Sequence, residues 1–537
     1  MKFRLVDVLL ILALITLPIV GIPQACGSHG PIAPGSPGDK PPADNHAPVP
    51  VIKVLSATEG PSPLIAKLDA VDSSDPDGDP IRFMWLFSDG ESAETSYVEH
   101  KFTGGGRFEV QLVVTDKWGV ATASEPVKFL GYGLASSAWP KFAHDERNSG
   151  VSPNPGPMMD LERADQGGAF PRYWRSSNQE AAVTAVCVGY EGVVVYAQGQ
   201  WLRARTPDGM TLWDTDLGST ICAWPAIADD GSIITATEDG KVHRLDADGQ
   251  IIWTTDLQEL TGVWVLPKTA INIGGNRTIY VGAISMTALP PGYTYIGVLF
   301  ALAFDGSLLW NKSVLGTGDY QSVPLIPAIT REGLIVLNGP TGAMFRPDGT
   351  QTATFEFVIG GAPSALGPPS VSEDGLIAFT HGQLPLFTPD GTLVMEIMGD
   401  FVDGSYDGSW QAGYVQAPVW DESSISQIQT VGTDSTTPYL TTGSEGGSIQ
   451  KVRLPSSMTS TPYFAGVTQD SLGRMYVSCK GLHAVSDVSM LSVFPHVQRR
   501  YSLWTYERPT TFMTAPVIGE DRWLYLGYGR DIMALGD

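Results

Sequence analysis

The sequence predicts an all-β protein, on three observations. Short β-prone runs are punctuated by acid-glycine pairs, these pairs recur at a regular interval, and the composition suits turns better than helices, with 60 Gly, 40 Pro and only 17% charged residues. One unit stands complete between Trp224 and Trp253. Pro225-Ala226-Ile227 leads to Asp230-Gly231, the run Ser232 to Thr237, Asp239-Gly240, Val242 to Leu245, Asp248-Gly249 and Ile251-Ile252-Trp253. Both central residues of a type I′ hairpin turn need positive φ, which Asp and Gly tolerate best, so the unit reads as four short antiparallel strands.

Asp-Gly pairs recur at Gly209, Gly249, Gly306, Gly349 and Gly391, mostly about forty residues apart, the size of one propeller blade. Four residues beyond the first three lie Trp213, Trp253 and Trp310, while Ala353 and Met395 stand after the last two. A ring at that place can fill the wedge between neighbouring blades.

The chain has 537 residues, which predicts two to four domains. Its 57 acidic against 33 basic residues, a net charge of −24, argue against nucleic acid or anionic lipid as the main partner, since both demand a positive face.

In chain order, Lys2 and Arg4 precede an apolar stretch from Val8 to Val20 and then Ala25-Cys26-Gly27, which reads as an export signal over 1–25. The apolar run is shorter than the twenty or so residues that span a bilayer. Residues 26–50 are dominated by Gly, Pro, Ser and Asp and read as a tether, too polar to offset their own ordering entropy. Residues 51–130 form a compact β-unit. Phe83, Trp85 and Phe87 alternate with Arg82, Met84 and Leu86, and Phe108, Val110, Leu112 and Val114 alternate with their neighbours, the period of strands buried on one face. Asp75, Asp77 and Asp79 place carboxylates on alternate residues beside Gly78. Two readings stand: a tight turn whose aspartates bond their own backbone amides, or a structural calcium site.

Several stretches carry resemblances. Cys26 resembles the lipidated cysteine of bacterial lipoproteins, although Pro23 and Gln24 depart from the usual lead. Ser73-Ser74-Asp75-Pro76-Asp77-Gly78-Asp79-Pro80, Trp85-Leu86-Phe87-Ser88-Asp89-Gly90 and Val113-Val114-Thr115-Asp116 with Trp118-Gly119 resemble the PKD (polycystic-kidney-disease) domain, with Ser88 where that family usually has Gly. The resemblance implies an immunoglobulin-like sandwich. Trp139-Pro140-Lys141-Phe142 with His144-Asp145, Arg147 and Gly150 resembles the opening segment of propellers related to the pyrroloquinoline-quinone (PQQ) dehydrogenases, and the units closing at Trp253 and Trp310 resemble that family's repeat. A propeller over 136–537 follows, with eight blades or alternatively seven. The run from Ala515 to Leu535 supplies about three strands, so the opening segment around Trp139 is expected to complete the last blade.

The quinoprotein resemblance implies an adjacent cysteine pair, a stacking tryptophan and an aspartate base with calcium ligands. The four cysteines, Cys26, Cys187, Cys222 and Cys479, include no adjacent pair. The last three sit in apolar contexts and are expected as buried free thiols, a Cys187–Cys222 disulfide being the alternative. No His-Glu-x-x-His pair, Gly-x-Ser-x-Gly elbow or Walker loop occurs. His144 and Asp145 are expected to fix the opening segment rather than catalyse.

The expectation is therefore an exported lipoprotein held at the cell envelope or surface by its lipid alone, or else secreted. Its role would be non-enzymatic binding or scaffolding of envelope protein or polysaccharide, without cofactor beyond a structural calcium. Ser285 to Tyr295 and Gly399 to Tyr414 are candidate binding stretches. The rival readings are an outer-membrane protein assembly lipoprotein and a PQQ-dependent dehydrogenase.

Overall fold

The computed structural model describes residues 41–157, 172–177, 181–289, 292–314, 325–339 and 342–356, and beyond these the strands and turns named below. The export signal, Cys26, most of the tether and residues 399–414 lie outside them. No helix among the described residues is long and apolar enough to cross a membrane.

Two sheets make the first unit. Leu64–Asp69 is central in one, between Lys53–Val54 and Tyr97–Phe102; the other runs Glu59–Pro61, Val127–Tyr132, Gly106–Thr115, Arg82–Phe87, Ser92–Ala93. Alternation along Gly106–Thr115 sends Phe108, Val110, Leu112 and Val114 inward against Trp85, Leu68 and Phe102. Phe83, on the same face of its strand, is only half-buried at the margin of this core. The sandwich also takes up residues assigned above to the tether: Val49 bridges Ser74, and the Asn45 side-chain amide donates to Asp116 at 2.8 Å. Polar composition hid this attachment, because it is made by hydrogen bonds rather than apolar burial.

Eight antiparallel sheets of four or five strands follow among the described residues, seven of four and one of five. The first contains Val183–Val188, Val194–Gln198, Trp201–Arg205 and Thr211–Asp216; the second Ala226–Ile227, Ile233–Ala236, Lys241–Leu245 and Ile251–Asp256. In the third, Asn272–Ile273 and Trp264–Leu266 both pair with Ile279–Leu289 ahead of Gly292–Leu302 and Leu308–Val314. The fourth spans Pro327–Ile329 to Gln351–Phe355, the fifth Pro369–Val371 to Leu393–Glu396, the sixth Val419–Asp421 to Ile449–Arg453 and the seventh Gly466–Gln469 to Ser502–Glu507. First strands of neighbouring blades meet, which sets them nearest the axis. Apolar clusters lie between blades, as where Ile234, Ala236 and Val242 of the second meet Val281, Ala283 and Phe300 of the third. Strands flanked on both faces are buried throughout, as in Ile233–Ala236, where the single hydroxyl of Thr235 donates to the Ala223 carbonyl, whereas fourth strands such as Thr211–Asp216 alternate.

The recurring tryptophan joins blade to blade through the Asp-Gly turn. The Trp213 indole donates to the Ala247 carbonyl at 2.8 Å, Trp253 to Phe304 at 3.1 Å and Trp310 to Pro347 at 2.9 Å. Each ring lies so close over the next blade's turn glycine that a Cβ on Gly249 would fall 2.5 Å from the Trp213 ring. Where Ala353 replaces the tryptophan, backbone fills the place: a Cβ on Gly391 would meet the Thr354 carbonyl at 2.6 Å.

The ring closes otherwise than expected. Arg172–Ser177, not the segment around Trp139, is the fourth strand of the last blade, pairing with Asp531–Gly536 beside Trp523–Tyr528 and Val517–Ile518. Trp174 obeys the same docking rule, donating to the Pro207 carbonyl at 2.7 Å with its ring over Gly209.

Candidate functional site

The segment around Trp139 crosses one end of the axis and bonds first strands of blade after blade, which explains why it is not free to complete a sheet. Trp139 exchanges backbone hydrogen bonds with Val188, at 3.2 and 2.7 Å, and Ile227 N–H donates to the Pro140 carbonyl at 2.9 Å. The Glu146 carbonyl accepts from Asn272 Nδ2 at 2.9 Å and Ile329 N–H at 2.7 Å. Val371 N–H donates to the Arg147 carbonyl at 2.9 Å, and Gln469 N–H to Gly150 at 3.0 Å. Inner strand edges otherwise left bare near the axis are thereby satisfied.

Lys141, fully buried, folds this segment on itself. Its amine donates to the carbonyls of Phe142 at 2.7 Å and Asp145 at 3.0 Å and to Asn148 Oδ1, which favours the ammonium, while burial pulls its pKa down to about 7. Ala143, His144 and Asn148 take left-handed backbone conformations to make the turn. His144 packs edge-on to Trp139, both ring nitrogens are buried without a hydrogen-bond partner, and burial holds its pKa down at about 4. Asp145 accepts from the amides of Arg147 and Ser149 at 3.1 and 2.9 Å and pairs with the Arg147 guanidinium at 3.2 Å. Asp145 thus braces the turn, while the His144 side chain contributes its edge contact with Trp139.

The sandwich is bolted to the ring beside this turn. Asp229, with no exposed surface, accepts from Gly133 N–H at 3.0 Å and is clamped by Arg277, whose guanidinium also lies 4.0 Å above the Tyr132 ring. Ser62 N–H donates to the Gly275 carbonyl at 2.8 Å, and a Cβ on Gly275 would stand 2.3 Å from the Ser62 carbonyl, so the approach requires glycine. Between sandwich and ring remains a crevice of about 480 Å³. Lys101 and Gly104 border it from the sandwich, Glu146 and Arg147 from the axial turn, and Arg331 and Glu332 from the fourth blade. Burial, reinforced by the Asp145 charge, pushes the Glu146 carboxyl up to about 7. Sequence reading passed over both Glu146 and Lys101; the available signal was the paired glycines Gly104-Gly105 and Gly274-Gly275, which mark close backbone approach.

The aspartate loop is built differently from the crevice. Asp75 Oδ1 accepts from the amides of Asp77 at 2.9 Å and Asp79 at 3.3 Å, Asp77 pairs with His46 at 2.9 Å, and Asp79 with Lys117 at 2.7 Å. The three carboxylates thus serve separate partners, and among the described residues no three His, Cys, Asp or Glu side chains are grouped to hold a metal. Within the stretch Ser285 to Tyr295, residues 285–289 and 292–295 belong to the paired strands Ile279–Leu289 and Gly292–Leu302, 11 residues each, and residues 290–291 lie outside the described residues. Cys187 and Cys222 are free thiols, each within reach of a backbone carbonyl, Pro225 and Pro267 respectively, at 3.3 Å. Cys187 lies in the first strand of the first blade and Cys222 between the first and second blades, so these two do not form the adjacent pair that the quinoprotein resemblance implies.

Comparison with known proteins agrees with this division. Residues 45–129 match the PKD domain family, and residues 171–330 match the family described as outer membrane protein assembly factor BamB. Collagenase ColA of Clostridium perfringens is 36% identical over 63 residues, 12% of this chain, and the match spans 6% of that protein's own length. BamB from Moraxella catarrhalis is 12% identical over 68% of this chain and 99% of its own, with a TM-score of 0.48. The Dos1 propeller is 9% identical over 69% and 95%, with a TM-score of 0.46. Sheet topology and the two family matches together describe a sandwich that matches the PKD domain over residues 45–129, followed by a β-propeller that matches the PQQ-like repeat over residues 171–330.

Proposed function

We propose that this protein is a non-enzymatic binding or scaffold component of the cell envelope, exported and held there through Cys26, that engages envelope protein or polysaccharide. The observation that carries the reading is the axial turn: residues 139–150 bond the inner strands of the first five blades and the seventh, and the sandwich is fixed beside it by Asp229 on Gly133 and Arg277 on Tyr132. Such a body offers preorganised recesses and loops for recognition at small entropic cost. Fold alone does not assign the role, which rests on the site. Crosslinking of the full chain in intact cells, followed by identification of what is joined to it, tests this reading. Recovery of an envelope polymer or protein without turnover supports it, and dye-linked alcohol oxidation on adding the quinone and calcium would replace it with the dehydrogenase reading.

A second reading has one specific support, the match of residues 171–330 to the assembly-factor family. On that reading the ring contacts a β-barrel assembly machine, and the same crosslinking would return a barrel component.

A further inference from the structure

Most of the charges around the crevice are already answered. Asp145 and Arg147 hold each other, and Arg331 has its own partner. Two are not. The Glu146 carboxylate makes no side-chain hydrogen bond or ion pair among the described residues, although its backbone carbonyl is pinned twice by the ring. Its oxygens point toward Gly104 of the sandwich, 3.8 and 3.9 Å from where a Cβ of that glycine would stand. The Lys101 ammonium, on the sandwich side of the same crevice, likewise makes no ion pair or side-chain hydrogen bond among the described residues. A half-buried carboxylate supported only by its own backbone amide is costly, and the cost is relieved by whatever brings a further donor. Glycines at 104, 105, 274, 275 and 333 keep part of the wall free of side chains, which leaves room between the charged groups.

We propose that this crevice binds a small zwitterion, an amino acid or dipeptide, with its ammonium group against Glu146 and its carboxylate facing Lys101. This inference rests on the reading of the chain as a binding protein and names a ligand class for it. A volume of about 480 Å³ has room for such a molecule with some of its hydration. The net charge of −24 steers the ammonium end inward, while Lys101 selects against simple amines that lack an acid. Glu146 must ionise to receive the ligand, and burial opposes this. Lys141, Asp145 and Arg147 face it from its own turn, and Lys101, Arg331 and Glu332 border the crevice from the sandwich and the fourth blade. Binding should therefore strengthen as pH rises from about 6 to 8.

Calorimetric titration of the full chain with a set of X-Gly and Gly-X dipeptides, their N-acetyl forms and their C-terminal amides tests the proposal. Saturable binding at millimolar concentration or tighter is expected for at least one free dipeptide. N-acetylation or Glu146→Gln should weaken it at least about tenfold, and amidation or Lys101→Met by a smaller factor. Glu146→Gln keeps shape, and its melting curve checks folding; Lys101 is exposed, so Lys101→Met supplies an independent reading. Failure of every free dipeptide to saturate at about 10 mM, or binding indifferent to both variants, overturns the proposal. Cleavage of a bound dipeptide would instead keep the site and sink the binding-only reading; absence of dipeptide binding alongside specific crosslinking in cells would do the reverse.

Discussion

Gly249 and Gly218 offer a matched pair for testing the tryptophan docking. Both adopt left-handed backbone, at φ +79° and +77°, so alanine meets a similar backbone penalty at each, about 1 to 2 kcal/mol. They differ in surroundings. A Cβ on Gly218 has nothing within 4 Å, whereas on Gly249 it would lie 2.5 Å from the Trp213 ring and 2.9 Å from Thr215 Oγ1. Relieving that clash requires the indole to leave the turn, with loss of its 2.8 Å bond to Ala247, an overpacking cost of about 1 to 3 kcal/mol more. Gly218→Ala should therefore cost about 1 to 2 kcal/mol and Gly249→Ala about 2 to 5 kcal/mol in all. In a Trp213→Ala background the clash is gone, and Gly249→Ala should fall to the Gly218→Ala figure, leaving a coupling of about 1 to 3 kcal/mol. Urea unfolding of the propeller, followed by circular dichroism, reads all four variants on one scale. Equal costs at the two glycines, or a Gly249→Ala cost untouched by Trp213→Ala, would refute docking as the blade-to-blade tie.

Arg277→Ala leaves the Asp229 carboxylate buried without its cation, a loss of about 3 to 5 kcal/mol, and by removing the Arg277–Tyr132 contact should loosen the sandwich on the ring. Small-angle scattering should show a longer particle, and unchanged scattering would count against the bolt. Trp174→Ala should raise amide exchange in Arg172–Ser177 and the strand Asp531–Gly536 it closes against, with a loss of about 2 to 4 kcal/mol read by thermal unfolding. His144 has its folded pKa depressed to about 4 by burial, so its stabilising contribution is present above its ordinary value of 6.5 and is lost as pH falls toward 4. The loss is on the order of 3 kcal/mol, and His144→Asn, which tolerates the left-handed backbone there, should flatten that part of the pH–melting profile.

What could be read from the sequence was what is local. Hairpins announce themselves within ten residues, so Asp230-Gly231, Asp239-Gly240 and Asp248-Gly249 reveal a whole blade, and the alternation from Phe108 to Val114 reveals a sandwich strand. The closing strand did not announce itself, because Trp174 lacks an Asp-Gly pair before it and its partners Ile532 and Ala534 lie at the far end of the chain. The axial segment was visible as a motif but not in its role. Lys141 and Asn148 look like ordinary surface residues until seven residues of turn bring them together beneath the blades. The crevice was least legible of all. Its working charges come from Lys101 and Glu146, and its shape from glycines near 104 and 275, positions that only the docking of two separately folded units sets side by side.

That dependence gives the architecture a mechanical consequence. Glu146 is held in place by the ring through its carbonyl, while Lys101 belongs to a strand of the sandwich; their separation is set by the bolt of Asp229 on Gly133 and Arg277 on Tyr132 and by the contact of Ser62 with Gly275. A ligand bridging the two charges pays little to order them as long as the bolt holds. With the bolt removed, the same charges drift apart and each contact must be bought back in conformational entropy, so affinity should fall even though no residue touching the ligand has changed. Arg277→Ala would then weaken dipeptide binding while leaving the affinity for partners on the far rim of the propeller intact, and a parallel loss at both places would mean that the ring itself had yielded.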